Sequence, residues 1–306
     1  MKHLRNIILC GAGLLCVAFH APAQTATPST YFPYPTVPDN LPTLTERSNF
    51  FIEKFWNHCN LKSAFSSRKK MQQAFNDYAS FMPYADAETV HKSIDKLIST
   101  VSKNGKNLVT LAEMAEGAFY SDTARIVCDE CYLPFAKAVV DSKKVPKAEK
   151  ARFEYQAKSL ELSQVGMTAP DFTWITPSGE TGRLSDLPKG AYVLLFFNDP
   201  DCDECELARV RLAADYNLND LIDRKLLNVV SIYPGERTDE WVDRTSVYNK
   251  KWVVGAAPEI DEIYDMRNPP VIYYLNGKHE ILSKTFDIDN LLEAFRVVKN
   301  KMDNKE

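Results

Sequence analysis

Residues 194–206, LLFFNDPDCDECE, decide the fold of the second half of this 306-residue chain. The apolar run that ends at Phe197 predicts a strand buried inside a sheet, and Cys202 and Cys205 follow at the start of a predicted helix. The first turn of a helix carries about half a positive charge, which favours a thiolate at the first cysteine. A spacer of two residues lets the sulfur atoms join or separate with little movement of the backbone. This arrangement is typical of a thiol–disulfide exchange site.

The sequence on both sides of this stretch predicts an α/β sandwich after about Val165. Strands alternate with helices, and Asn276-Gly277 has the chemistry of a hairpin turn near the end of the chain. We therefore expect a central mixed sheet with helices on its faces. The predicted strands are 172–175, 191–197, 227–233, 271–275 and 280–284, and the predicted helices are 203–216, 239–247, 259–266 and 289–302.

The first half of the chain predicts an all-helical domain of five or six helices. Apolar residues recur every three or four positions from residue 49 to residue 162, as at Val90, Ile94, Leu97 and Val101. Pro146 suits the first position of the last of these helices. Five prolines lie between residues 24 and 42, which predicts an extended, poorly ordered tether.

The first 23 residues have the pattern of a signal peptide. Lys2 and Arg5 precede an apolar stretch over residues 7–19, and Ala21-Pro22-Ala23 resembles a cleavage site. The apolar stretch is shorter than the roughly 20 residues needed to span a bilayer. Leucine precedes both Cys10 and Cys16, which argues against a lipid anchor. We expect a periplasmic or otherwise extracytoplasmic protein that does not span the membrane.

Composition and charge exclude other classes. The net charge is −4, and no basic stripe marks a nucleic-acid surface. Five cysteines follow the predicted cleavage site, an odd and sparse set that does not suit a disulfide framework.

Three motifs, in order, carry a resemblance to a known family. Residues 166–172 read GMTAPDF, Cys202-Asp-Glu-Cys205 follows, and Pro270 directly precedes the strand at 271–275. Residues 166–302 thus resemble the thioredoxin-like superfamily, in particular its exported thiol–disulfide oxidoreductases. The helical half resembles an uncharacterised domain found ahead of such modules in exported bacterial proteins. The domains expected on this basis are 1–23 (signal peptide), 24–42 (tether), 43–163 (helical domain) and 164–306 (thioredoxin-like domain).

The resemblance implies a role for each site residue. Cys202 would attack a disulfide, Cys205 would resolve the mixed disulfide, and Pro270 would be the family's cis-proline that positions the substrate. The implied partners are a disulfide-containing protein or small-molecule substrate and a thiol electron donor linked to the membrane. No bound cofactor and no metal are implied.

Two positions depart from the family pattern. Asp201 stands where a tryptophan is common, and Phe196 stands where a buried acid often relays the proton of the resolving thiol. Asp201, Glu204 and Glu206 are then the nearby candidates for that relay. These departures favour an alternative function, in which the thioredoxin fold is a scaffold in a non-catalytic binding or envelope-maintenance protein.

Acidic residues surround the cysteine pair. A carboxylate about 6 Å from a thiolate, at an effective dielectric constant near 40, disfavours it by about 1.4 kcal/mol, or about one pKa unit. Several such charges would outweigh the stabilisation of the thiolate by the helix start. The dithiol form would then be disfavoured and the reduction potential lowered, so we predict that the protein acts as a reductant. The acids are Asp199, Asp201, Asp203, Glu204 and Glu206.

The same tetrapeptide recurs as Cys128-Asp-Glu-Cys131 in the helical half. It has three interpretations: a second redox pair that passes electrons to the first, a chance pair on one helix face, or half of a four-cysteine zinc site. We favour the chance pair, because no strand or cis-proline accompanies it, and the separation from Cys202 is too long for an ordinary zinc motif. Cys59 has no partner in the sequence and is expected in the core.

Overall fold

The computed structural model describes residues 30–121, 123–267, 269–285 and 288–303. Within them a helical region (Leu44–Leu162) precedes a sheet region (Thr173–Asp303), which confirms the predicted fold class. The predicted signal peptide lies outside the described residues, and the predicted domain boundaries stay predictions.

The described helical region contains six α-helices, with short 3₁₀ turns between some of them and a π-helical turn at Glu116–Tyr120. The periodic apolar faces pack inward; Val90, Ile94, Leu97 and Val101 are all buried on one side of the third helix. Pro146 directly precedes the last helix and does not form its first turn. The helices are α1 (Leu44–Lys54), α2 (Arg68–Ser80), α3 (Ala87–Val101), α4 (Gly105–Ala115), α5 (Asp129–Asp141) and α6 (Lys147–Leu162).

The described part of the predicted tether, residues 30–42, has no regular helix or strand, but it packs against the helices. Phe32 is buried among the aromatic side chains of the helical core, and the Tyr31 hydroxyl donates to the carbonyl of Ala64 at 2.9 Å. Tyr34 donates to the carboxylate of Asp77 at 2.7 Å. This segment therefore continues the helical core.

The sheet region holds seven strands, which are β1 (Thr173–Ile175), β2 (Thr181–Arg183), β3 (Tyr192–Phe197), β4 (Leu227–Tyr233), β5 (Val253–Ala256), β6 (Val271–Leu275) and β7 (Ile281–Thr285). They lie in the order β2-β1-β5-β4-β3-β6-β7, with both parallel and antiparallel neighbours. The predicted central mixed sheet is thus confirmed. Two short strands, β2 and β5, were not predicted.

Helices of the sheet region differ from the prediction in two places. The predicted helix at 259–266 is wrong: only Ile260–Glu262 forms a 3₁₀ turn, because Glu259 has a left-handed backbone and Tyr264 turns into the core. The predicted helix at 203–216 ends early, and a second helix begins where the Asp215 carboxylate accepts from the backbone of Leu218. The helices are α7 (Asp203–Ala214), α8 (Tyr216–Asp223), α9 (Asp239–Arg244) and α10 (Ile288–Asp303).

Strand β3 carries apolar side chains into both faces of the sheet. Val193, Leu195 and Phe197 join one core cluster, while Leu194 and Phe196 join the cluster beneath α7, α8 and α10. A third cluster fills the helical region. None of the described helices is both long and apolar enough to cross a membrane.

The two regions meet along the second half of α6, just after it, and at a buried ionic group. The Tyr155 hydroxyl donates to Asp261 at 2.7 Å, and the Ser163 hydroxyl lies 3.2 Å from that of Tyr273. The ionic group, called the Asp265 cluster below, joins one acidic residue of the helical region to three residues of the sheet region. Its members are Asp129, Asp265, Arg267 and Lys284.

Candidate active site

The structure places the first cysteine pair between the end of β3 and the start of α7. Cys202 is the N-cap residue of α7, and its Sγ accepts the backbone N–H of Cys205 at 3.1 Å. The two cysteines are joined as a disulfide, with their Cα atoms 5.2 Å apart. Cys202 is partly exposed and Cys205 is buried, so a partner can reach only the first sulfur.

A buried asparagine holds the loop that leads to the cysteines. The Asn198 amide donates to the hydroxyl of Ser231 at 2.7 Å, and its oxygen accepts from the hydroxyl of Tyr248 at 2.7 Å. Further along the loop, the Asp199 carboxylate accepts the backbone N–H of Asp201 at 2.8 Å. These bonds fix the direction in which the chain enters α7.

Pro270 lies beside the cysteine pair. The peptide bond between Pro269 and Pro270 is cis, and the Pro269 carbonyl oxygen lies 3.9 Å from the Sγ of Cys202. Strand β6 begins at Val271, which pairs with Phe197 at the end of β3. The sheet register therefore brings all three predicted site residues together; their catalytic roles stay a prediction.

Comparison with solved structures identifies the fold of the sheet region. A thioredoxin-like protein from Bacteroides caccae is similar over 88% of this chain and 99% of its own, with a TM-score of 0.76 and 25% identity. The sheet region is a thioredoxin-like domain.

Other comparisons are less extensive. A conserved protein of unknown function from Bacteroides fragilis is 32% identical over 43% of this chain and 98% of its own, with a TM-score of 0.41. The thioredoxin domain of a thiol-disulfide oxidoreductase from Bacteroides vulgatus is 22% identical over 44% of this chain and 97% of its own, with a TM-score of 0.39. Residues 19–163 match a family described as Domain of unknown function (DUF5106). No curated protein matches the chain.

Two arginines of the thioredoxin-like domain neutralise part of the acidic surroundings of Cys202. Arg244, on α9, pairs with Asp201, and Arg209, on α7, lies 3.2 Å from Glu206. The other three acids, Asp199, Asp203 and Glu204, have no ion-pair partner among the residues that the structure describes. The net charge around the pair thus stays negative, but it is smaller than the five acids alone would give.

A cavity of about 270 Å³ opens beside the buried cysteine. Cys205, Glu206 and Arg209 line it together with Asn198 and Tyr248. The guanidinium of Arg209 is largely buried, donates to the Val247 carbonyl at 2.9 Å, and lies over the ring of Tyr248. Burial raises the pKa of Tyr248, so its hydroxyl stays protonated and can donate to Asn198.

The cavity helps to choose among the three acids that the sequence offered as acceptors of the Cys205 proton. Phe196 is fully buried and packs against Trp252, so no acid lies where the family often has one. Asp201 is paired with Arg244, Glu206 is paired with Arg209, and Glu204 is exposed, but of these three acids only Glu206 lines the same cavity as Cys205. Among the three, Glu206 is the carboxylate best placed for Cys205.

Two of the cavity residues were missed from the sequence. Arg209 lies four positions after Cys205 on α7, and this spacing alone places both on one helix face. Tyr248 lies fifty positions from Asn198 in the sequence, and no local pattern indicates their hydrogen bond.

The second cysteine pair does not share a site with the first. Cys128 and Cys131 are joined to each other, at the start of α5 in the helical region. Each disulfide joins the two cysteines of one pair, so the four sulfur atoms are not arranged as the ligands of a shared zinc ion. Cys59 is partly buried against the helical core, and burial raises the pKa of its thiol to about 11.

Proposed function

We propose that the protein is an exported thiol–disulfide oxidoreductase that acts as a reductant. The observation that carries the proposal is the Cys202–Cys205 disulfide at the start of α7, with its exposed sulfur 3.9 Å from the Pro269 carbonyl. An exposed sulfur backed by a buried one is the asymmetry that two-step exchange needs. The substrate is a disulfide of a protein or of a small molecule.

In the reduced protein, the Cys202 thiolate attacks one sulfur of the substrate disulfide. A mixed disulfide forms and one substrate thiolate leaves. Cys205 then loses its proton to Glu206 through the shared cavity and attacks the Sγ of Cys202, releasing the second substrate thiolate. Two electrons pass from the dithiol to the substrate, and a thiol protein, linked to the membrane, supplies them again.

Pro270 serves the first step by positioning the substrate. Proline has no N–H, so the turn before β6 offers acceptors without a competing donor beside Cys202. An extended substrate chain would lie along this turn with its disulfide over the exposed sulfur. The backbone would hold the substrate in place while Cys202 attacks.

The acidic surroundings support the direction of transfer. A thiolate close to carboxylates is disfavoured, so the dithiol form is disfavoured relative to the disulfide, and the pair gives up electrons readily. Arg244 and Arg209 reduce this effect, and Asp199, Asp203 and Glu204 maintain it. A reduction potential near −120 mV, as for a strong periplasmic oxidant, would contradict the reductant role.

The first test follows the state of each cysteine in glutathione buffers by alkylation and mass spectrometry. We expect Cys202 and Cys205 to change together and reversibly in the folded protein. The variant Cys205→Ser should accumulate a mixed disulfide at Cys202, whereas Cys202→Ser should accumulate none. Cys59→Ser is the matched control and should behave as the unmodified protein, since Cys59 lies in the helical region.

The same test separates catalysis from the scaffold alternative. The residues at 196 and 201 favour that alternative, because neither supplies the family's usual side chain. If Cys202 and Cys205 react only after the protein unfolds, the domain is a scaffold and the catalytic proposal is wrong. Export is tested separately, by sequencing the N-terminus of the protein from the periplasmic fraction; an intact Met1 would contradict cleavage after Ala23.

A further inference from the structure

The second cysteine pair has the same local geometry as the first. Cys128 is the N-cap residue of α5, and its Sγ accepts the backbone N–H of Cys131 at 3.2 Å; the Cα atoms lie 5.2 Å apart. Cys128 is partly exposed, and Cys131 is 8% exposed. The exposed-then-buried order found at Cys202 and Cys205 is therefore repeated in the helical region.

This disulfide contributes little as a structural cross-link. It joins residues three positions apart at the start of one helix, and it connects no two elements of the fold. The stabilisation expected from a disulfide falls as the closed loop becomes shorter. Helix α5 is already anchored by Tyr132 and Phe135, both fully buried. Packing holds this helix, so stability alone does not account for the pair.

The surroundings of the second pair also differ from those of an inert core disulfide. Asp129, between the two cysteines, accepts from Arg267 and, at 2.8 Å, from Lys284. Both cations are shared with Asp265, so the charges of the cluster balance. Arg267 lies two positions before Pro269, whose carbonyl contacts Cys202. The second pair therefore lies where the two regions meet, next to the residues that lead into the first site.

We propose that Cys128 and Cys131 form a second thiol–disulfide exchange site, which reacts with thiols and disulfides of partner proteins independently of Cys202. In the reduced state, the Cys128 thiolate attacks a partner disulfide, forms a mixed disulfide and releases one partner thiolate. Cys131 then gives its proton to the partner thiolate already released, attacks the Sγ of Cys128, closes the disulfide and releases the second partner thiolate. Two electrons move to the partner, and a dithiol protein returns them by the reverse steps. The proposal does not depend on the function proposed for Cys202.

The test uses the chain from Gln24 onward, after the expected cleavage site, with Cys202→Ser and Cys205→Ser, which leaves the second pair and Cys59. The protein is equilibrated in glutathione buffers of graded potential, and each cysteine is followed by alkylation and mass spectrometry. Circular dichroism of the same samples reports whether the protein stays folded. We expect Cys128 and Cys131 to be reduced and oxidised together, reversibly, while the spectrum stays native.

A further variant identifies the attacking sulfur. With Cys131→Ser added, oxidised glutathione should form an adduct on Cys128. Cys59 is the internal control and should form none, because its raised pKa keeps it a thiol. A pair that stays oxidised in every buffer until the protein is denatured overturns the proposal, as does a pair that stays reduced in the most oxidising buffer. The first titration retains the natural residues at 128 and 131, so a folding defect of Cys131→Ser would leave the result intact.

Discussion

The substitution Asp265→Asn should destabilise the folded protein strongly, because it removes one of two carboxylates from a buried ionic group. The Asp265 side chain is 2% exposed and accepts from Arg267, with an N–O distance of 2.6 Å, and from Lys284. After the substitution, two largely buried cations would share Asp129 alone. An uncompensated charge of this kind is the expensive consequence of breaking a buried ion pair.

The expected magnitude follows from the burial of the partners. Breaking a buried pair typically costs about 3–5 kcal/mol. Asparagine keeps the shape and one acceptor oxygen, so we expect the lower end, about 3 kcal/mol. At roughly 2–4 °C per kcal/mol for a protein of this size, the melting temperature should fall by about 6–12 °C.

The pH dependence gives a second, independent reading of the same substitution. Burial alone would raise the pKa of Asp265, but the hydrogen bond from Arg267 and the charges of Lys284 and Arg267 outweigh it and lower the pKa below its ordinary value. A carboxyl with a lowered pKa stabilises the fold fully above its unfolded pKa, near 4, and loses that contribution as the pH falls through the folded value. The difference in stability between the unmodified protein and Asp265→Asn should therefore be complete at pH 7 and should become smaller only below about pH 4.

The assay is calorimetric unfolding of both proteins at pH 7 and at lower pH. Glu88→Gln is the matched control: Glu88 pairs with Lys92 on the exposed face of α3, and its loss should leave the melting temperature unchanged. If Asp265→Asn melts within 2 °C of the unmodified protein at pH 7, the Asp265 cluster does not stabilise the contact between the two regions.

Three further outcomes are expected. In a Cys202→Ser background, Arg209→Gln should raise the pKa of the Cys205 thiol, because it removes a cation one helical turn away. The pH dependence of Cys205 alkylation measures this change, and Arg211→Gln, whose cation pairs with Asp289, should leave it unaltered. The Cys128–Cys131 pair should have a less negative reduction potential than Cys202–Cys205, since the charges of the Asp265 cluster balance; a more negative value would contradict this account. Burial and the nearby Lys189 lower the pKa of His279, so the folded protein loses stability as the pH falls below about 6.5, the pKa of an unfolded histidine. The variant His279→Asn, whose asparagine suits the left-handed backbone at this position, should lose less stability than the unmodified protein between pH 7 and pH 5. The midpoint of urea unfolding at the two pH values measures the difference.

The parts of the fold that could be predicted from the sequence are those with a strong local pattern. The apolar run of β3 and the cysteines after it predicted a buried strand followed by a helix, and both are found. Strand β5 was missed because it is four residues long and contains Gly255, which disfavours a strand by propensity. A side chain at 255 would collide with Trp174, since a Cβ there would lie 2.3 Å from its ring. Only the packing of β1 against β5 explains that glycine.

The charges of the candidate site were predictable only in part. The acids around Cys202 are adjacent in the sequence, and their number is visible there. The cation that neutralises Asp201 comes from Arg244, forty-three positions later, and Asp129 meets Arg267 across the boundary between the two regions. Such pairs depend on how distant elements pack, which neither hydrophobic period nor motif spacing encodes.

A comparison of the two CDEC tetrapeptides separates the effect of local structure on thiol reactivity from the effect of the tertiary surroundings. Each begins an α-helix, each has its first cysteine as the N-cap, and each has nearly the same N–H to Sγ distance. The effect of the helix start is therefore alike for both pairs, and the two intervening residues are of the same types. The first has Pro270 beside it and three acids without ion-pair partners among the described residues, while the second has the cations of the Asp265 cluster. Any difference in reactivity or potential between the pairs must come from these surroundings, so each pair is the internal reference for the other.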